Sequence, residues 1–455
     1  MREHWASRLG FILAACGSAV GLGTLWKFPY VTGENGGGIF LLLYLGFTLF
    51  LAVPLFIGEV LLGRKSERGA VGAFIALSPD HKNWRVVGWL GVLSCFLILS
   101  YYCVVAGWGL SYLMMSLNQY LTLHPVQDIP TLFATLASSA DISLFWATIF
   151  LLMTFGVVMK GVRQGIEFWS RILMTALVAL LLLLVFYAVT LEGFKEGVHF
   201  LFSFDMSRLK PSSFVEALGL SFFTLSLAQG VMITYGSYLR SSDDIPVSAL
   251  IIGATVIGIS LLSAMVIFPI IFTFNLPIEE GEGLIFKTLP LLFAQLPGAM
   301  ILSTVFFALF VFAGLTSSVA LVEVIVANLI DLFTISRKKA VWITALACFI
   351  VVIPSAFAFT PTLFSSWPSI FGTTFFGTLD KLVSVWLLPF GGFLTATYIG
   401  WHLKHALVQE QFALHSKLAF LFRPWFFLLR WVAPLAIILI FLESSGIINL
   451  DRLTK

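Results

Sequence analysis

Two stretches of the chain set glycine and small polar residues inside otherwise apolar surroundings. They are Gly17-Ser18-Ala19-Val20-Gly21-Leu22-Gly23-Thr24 and Thr224-Leu225-Ser226-Leu227-Ala228-Gln229-Gly230. Glycine costs about 1 kcal/mol in a helix interior relative to alanine, so these are places where a helix can open. Inside a bilayer each backbone group left bare costs several kcal/mol. A zwitterion and a small cation can satisfy such groups. The N–H groups that start a half-helix attract a carboxylate, while carbonyl and hydroxyl oxygens suit an ammonium or a hard cation. Small residues also serve close helix packing in membranes, so neither stretch decides alone. Glu59 and Glu323 lie in apolar runs as well, and charge placed there is costly and usually functional. No Ser-His-Asp arrangement, metal motif or phosphate loop is visible, so an enzyme is not expected. The four cysteines have no metal or redox spacing.

The elements that must carry these residues are membrane helices. The chain of 455 residues is 59% hydrophobic and 11% charged, against about 25% charged residues in soluble domains. The net charge of +3 gives no footprint for nucleic acid. Apolar runs of about 20 residues or more predict an all-α integral membrane protein. Eleven helices are expected near 8–29, 37–62, 84–120, 143–160, 168–190, 214–239, 246–273, 298–330, 340–358, 376–401 and 425–442. The run from Val86 to Leu123 is too long for one span and reads as a tilted helix followed by an apolar external loop. Residues 8–29 end in no small-residue cleavage site, so they read as a span rather than a signal peptide. Most of the 26 Lys and Arg residues fall on one side of this arrangement. That puts the N-terminus in the cytoplasm and, after an odd number of spans, the C-terminus outside, in a multi-pass protein of the cell (inner) membrane. The two glycine-containing stretches fall in the first and sixth spans. These are corresponding positions of two five-helix halves, 1–190 and 214–402, with an additional helix at 425–442. Interrupted helices so placed point to an inverted-repeat transporter.

Longer motifs sharpen this. Arg2-Glu3-His4-Trp5-Ala6-Ser7-Arg8-Leu9-Gly10, the Gly17–Gly23 block, Phe28-Pro29-Tyr30 and Glu34-Asn35-Gly36-Gly37-Gly38 resemble the neurotransmitter:sodium symporters. So do Glu59 with Gly63-Arg64, Tyr101-Tyr102, Phe223-Thr224-Leu225-Ser226-Leu227, Thr234-Tyr235-Gly236-Ser237-Tyr238 and Phe312-Ala313-Gly314-Leu315-Thr316-Ser317-Ser318. The resemblance covers nearly the whole chain. Eleven spans rather than twelve is similar to the shorter bacterial members. It implies a LeuT-type 5+5 inverted repeat with broken helices 1 and 6, working by sodium-coupled symport of an amino acid.

The resemblance also implies roles. The half-helix starting at Leu22 and Gly23 and the Tyr102 hydroxyl would hold a substrate carboxylate. The carbonyls of Ala19, Phe223, Thr224 and Ser226 would take its ammonium, and Ile98, Phe223, Gln229, Ser318 and Leu321 would line the side-chain pocket. A sodium site would use carbonyls of Gly17, Val20 and Ala313 with hydroxyls of Thr316 and Ser317. Lys27 with Asp380 would form an outer ion pair, and Arg2 with Asp331 an inner one, beside Trp5 and Tyr238. Phe223 would be the aromatic lid. Glu59 and Glu323 would brace exposed backbone of the broken helices.

Departures from the pattern are informative. Thr24 stands where the family commonly has Asn, and Val256 where it has Asn or Asp, so a second sodium site is expected to be absent or very weak. Tyr44, Thr224 and Ser260 match the chloride positions of chloride-dependent relatives, but Leu220 replaces their glutamine, so chloride dependence is not expected. Gln229 replaces a more usual apolar residue, leaving open a hydrogen bond to a substrate tail or to water. Ala228 replaces a frequent glycine, which restricts how far the turn opens. A small, mainly apolar amino acid is the expected substrate, with one sodium ion. A proton-coupled carrier on the same fold and a non-transporting amino acid sensor stay open as alternatives. The oligomeric state is not legible.

Overall fold

The computed structural model describes residues 3–120, 128–274, 283–360, 364 and 366–448. Among them there is no strand. Among the described residues nine helices are long and apolar enough to cross a membrane: α3 (Gly38–Ser66), α4 (Lys82–Leu117), α5 (Ala140–Met159), α6 (Val162–Ala188), α9 (Ile245–Phe274), α10 (Ala299–Phe333), α11 (Arg337–Ala356), α12 (Trp367–His402) and α13 (Ala419–Glu443). A tenth span is bent. Its halves α1 (Arg8–Ala19) and α2 (Gly23–Glu34) meet at 67°. The predicted sixth span is split into α7 (Pro211–Thr224) and α8 (Val231–Gly236). Each half is too short to cross alone, and together they occupy the expected place of the sixth span.

Several helices outrun the apolar runs that announced them. α6 begins at Val162 rather than near 168, α11 at Arg337 rather than near 340, and α13 at Ala419 rather than near 425. Hydropathy marks the part in hydrocarbon, whereas the helical ladder continues into the polar boundary, where water satisfies the last turns. α4 ends at Leu117, and part of the expected external loop after it, 121–127, lies outside the described residues.

Packing follows the sequence patterns. The long apolar helices α4 and α10 lie along each other and against α5, and α11 packs on α4 and α5. α8 packs on α3, through glycines that allow close approach. A Cβ on Gly63 would stand 1.9 Å from the Ile233 carbonyl oxygen. α1 rests in the angle between α6, α9 and α10.

The chain's first residues are tied down. The Trp5 N–H donates to the Tyr238 carbonyl at 3.1 Å, and its indole N–H donates to the Tyr235 carbonyl at 3.0 Å. Glu167 accepts from the Ala6 N–H at 2.7 Å and from the Ser7 hydroxyl at 3.0 Å. Glu3 accepts from the Val162 N–H at 2.6 Å.

Candidate functional site

The first break has a steric cause. A Cβ at Gly21 would stand 2.6 Å from the Ser317 hydroxyl oxygen and 3.1 Å from that of Tyr102. A Cβ at Gly23 would stand 2.2 Å from the Phe223 ring. Glycine is therefore needed here for close approach as well as for opening the helix. α1 stops at Ala19, and the Val20 N–H bonds back to Cys16. The Leu22 N–H donates to the Tyr102 hydroxyl at 3.4 Å.

The second break is built differently. Ser226, Ala228 and Gly230 all have positive φ, at 52°, 63° and 72°. Two of the three are not glycine, and the left-handed region costs such residues roughly 1–2 kcal/mol each. Ala228 is thus no obstacle to the turn, because its backbone is held. The buried Glu59 accepts from the Ala228 N–H at 2.7 Å. The Ser226 hydroxyl donates to the Ser18 carbonyl at 2.9 Å, tying the two breaks together. The Cys95 thiol donates to the Gln229 carbonyl at 3.1 Å.

Both breaks open into one cavity of about 230 Å³. Ala19, Leu22, Gly23, Ile98, Tyr102, Phe223, Thr224, Ser226, Gln229 and Leu321 line it, as do Lys27 and Asp380 at one end. Gly21, Tyr101, Val105 and Phe376 also line it. Of these, Tyr101 belongs to the Tyr-Tyr pair that the sequence displays, whereas Val105 and Phe376 carried no signal. Ser318 does not line it. That side chain turns away about 100° from Ser317, and its hydroxyl lies 2.8 Å from that of Thr154 on α5.

Beneath the cavity, oxygens gather between α1 and α10. The Thr316 hydroxyl lies 3.0 Å from the Ala313 carbonyl. That of Ser317 lies 3.2 Å from the Gly17 carbonyl and 2.9 Å from the Ser18 carbonyl. A Cβ on Gly17 would come to 3.0 Å from Thr316 Cβ. This neutral oxygen set suits a small hard cation that must also leave.

Other predicted groups sit as follows. The Thr24 hydroxyl donates to the Ala19 carbonyl at 3.1 Å, and Val256 is fully buried. Among the described residues no ion pair joins Lys27 to Asp380. Lys27 Nζ instead lies 4.8 Å over the Phe223 ring, and Asp380 accepts from the Tyr101 and Ser384 hydroxyls, both at 3.2 Å. A lysine ammonium is a single point charge on a flexible stem and is not locked to a carboxylate as an arginine fork is. Arg2 lies outside the described residues. Asp331 accepts from the Gly69 N–H at 2.6 Å. Trp5 packs edge-on against Tyr238, with ring centroids 5.9 Å apart. The Tyr44 hydroxyl lies 3.0 Å from that of Thr224 and 3.4 Å from that of Ser260, with Leu220 buried on α7.

Glu323 differs from the expectation. It does not brace broken-helix backbone among the described contacts. Its carboxylate takes both guanidinium N–H groups of Arg337, at 3.1 and 2.5 Å, and the Tyr238 hydroxyl at 2.6 Å. Arg337 also donates to the Val158 carbonyl at 2.9 Å. A buried carboxylate takes the strongest donor within reach, and the start of α11 puts that donor beside it.

Comparison with known proteins agrees with this architecture. The Sodium:neurotransmitter symporter family matches residues 2–129 and 132–454. The sodium-dependent transporter YhdH of Bacillus subtilis is 40% identical over 448 residues, covering 98% of each chain. A sodium-dependent transporter of Haemophilus influenzae is 32% identical, covering 97% of this chain and 98% of its own. The crystal structure of MhsT in complex with L-phenylalanine superposes with a TM-score of 0.89 at 40% identity, covering 98% of this chain and 100% of that one. The fold is accordingly the LeuT type, and the chain belongs to the sodium:neurotransmitter symporter family.

Proposed function

We propose that this symporter carries a small, mainly apolar amino acid, together with one sodium ion, by alternating access. The observation that carries the reading is the shared cavity: two helix breaks open into it with complementary groups. The start of α2 and the Tyr102 hydroxyl offer hydrogen-bond donors to a carboxylate. The end of α7 offers carbonyls to an ammonium. Ile98, Val105, Phe223 and Leu321 leave an apolar volume for the side chain, with Gln229 as its one amide. The amino acid in the MhsT complex supports the substrate class.

The single-ion reading is supported by Thr24 and Val256. Val256 has no side-chain oxygen to offer an ion, and Thr24 brings a hydroxyl, donated to the Ala19 carbonyl, where the family commonly has an amide. The oxygen set between α1 and α10 needs nothing from the substrate. Filling it ties α1 to α10 and favours the arrangement that binds substrate, and the coupling runs equally in both directions.

The test is uptake into liposomes across the common amino acids, with sodium replaced by potassium or choline. Sodium-dependent accumulation of apolar amino acids is expected. Uptake driven equally well by a proton gradient would replace this reading with a proton-coupled carrier, and binding without uptake would replace it with a sensor. Reversal-potential measurements should return one sodium per substrate; two would overturn the stoichiometry.

A further inference from the structure

Away from the transport path, α12 and α13 cross at a second unusual place. Both helices widen there into a π-turn, at Tyr398–His402 and Leu428–Val432. Gly400 permits the contact, since a Cβ on it would stand 2.9 Å from Arg430 Cα. Arg430 is thereby set on the outside of the bundle, and its guanidinium lies against a pair of aromatic rings. It is 4.2 Å from the Trp401 ring centroid and 5.7 Å from that of Trp431, and the two rings meet edge-on with centroids 4.5 Å apart. The Trp401 indole N–H donates to the Arg430 carbonyl at 3.1 Å and so fixes the first ring. Both tryptophans are nearly half exposed, at 49% and 46%, so the pair faces outward to lipid.

Among the described residues this cation has no carboxylate partner. Arg430 Nε is buried and finds no acceptor among the described residues. The three helices that meet there supply no carboxylate close by: there is none in α3 before Glu59, none in α12 after Asp380 and none in α13 before Glu443. Glu410, in the α12–α13 connection, pairs with Lys65 at 3.7 Å. Three further cations, Lys404, Lys417 and Arg423, are exposed where α12 ends and α13 begins. Arg423 and Arg430 are seven residues apart, roughly 10 Å along the helix. The cations thus run from the membrane boundary inward. An arginine facing lipid is costly unless an anion meets it, and aromatic faces offset only part of the charge.

We propose that Arg430, stacked on Trp401 beside Trp431 and fed by Arg423, is a binding site for the headgroup phosphate of an anionic phospholipid in the leaflet adjoining the α12–α13 connection. A guanidinium takes phosphate oxygens through two parallel N–H groups, and basic pockets between membrane helices suit acidic headgroups. The exposed faces of the tryptophans would lie against the acyl chains.

The experiment titrates the purified protein in detergent with phosphatidylglycerol, phosphatidylcholine or inorganic phosphate. It reads the melting temperature and the lipid adducts by native mass spectrometry. Phosphatidylglycerol should raise the melting temperature of the wild type more than phosphatidylcholine does. In Arg430→Gln its apparent affinity should fall by about tenfold or more, with substrate affinity unchanged. Arg430→Lys, which keeps the charge but loses the fork, should retain part of the response and serves where the glutamine variant does not fold. An equal wild-type response to both lipids, or an undiminished phosphatidylglycerol response in either variant, would overturn the proposal. A shift reproduced by inorganic phosphate alone would also overturn it, in favour of a free-anion site.

Discussion

Replacing Glu59 separates its two oxygens. One accepts from the Ala228 N–H at 2.7 Å, and the other is buried and finds no partner among the described residues. Ala228 sits at φ 63° in the turn that offers carbonyls to the cavity. Glu59→Ala removes the acceptor of that buried N–H. A buried unsatisfied donor costs about 1–3 kcal/mol. If the turn pays this on binding, substrate affinity falls by roughly 5- to 150-fold. Glu59→Gln keeps an acceptor oxygen of the same reach and puts its amide where the unpartnered oxygen stands. Its affinity should stay within about threefold of wild type, an order-of-magnitude expectation from the one retained bond. The assay is equilibrium binding of radiolabelled amino acid in detergent, with a melting curve for each variant to score folding. Equal losses in the two variants would refute the reasoning, since the ionic charge rather than the acceptor would then be what holds the turn.

Three further outcomes follow from the same geometry. Tyr102→Phe removes a hydroxyl 3.4 Å from the Leu22 N–H; loss of one bond to a charged substrate group, about 1.5–3 kcal/mol, should weaken substrate binding by one to two decades in the same assay. Thr316→Ala with Ser317→Ala deletes both hydroxyls from the oxygen set between α1 and α10, and should abolish sodium stimulation of uptake at near-normal expression; wild-type sodium dependence would place the ion elsewhere. Arg337→Ala leaves the Glu323 carboxylate buried without its cation, which should destabilise the fold by about 3–5 kcal/mol. Adding Glu323→Ala should restore part of that in thermal melts, and no recovery would show that the pair is not the reason.

The first break was readable because its chemistry and its sterics coincide on glycine: Gly21 and Gly23 are small for the sake of Ser317, Tyr102 and Phe223. The second break was less readable. Ser226 and Ala228 adopt left-handed backbone that their residue types disfavour, and it is long-range bonds from Glu59 and to Ser18 that hold them there. Ser318 looked equivalent to Ser317 within a polar run, yet one helical step turns it toward Thr154. Arg337 looked like a loop charge beside Lys338 and Lys339. Only the fold reveals that α11 starts early enough to bury it against Glu323. The Lys27 side chain is likewise flexible, and no sequence pattern says whether it meets Asp380 or the Phe223 ring.

The Glu323 cluster carries one more consequence. Its members Glu323, Arg337 and the Val158 carbonyl belong to α10, α11 and α5, which pack into one unit. Tyr238 reaches it from the segment following α8, beside Trp5. If that segment swings away to release cargo at the Trp5 end, this junction must break its 2.6 Å hydroxyl–carboxylate bond, while the Arg337 pair stays whole. A bond of that kind contributes about 1.5–3 kcal/mol. It works as a bias on the resting equilibrium, holding the shut form ahead by roughly one to two orders of magnitude. Because the carboxylate would keep its Arg337 partner throughout, the same bond would re-form whenever the segment returned, favouring the shut form of the empty carrier.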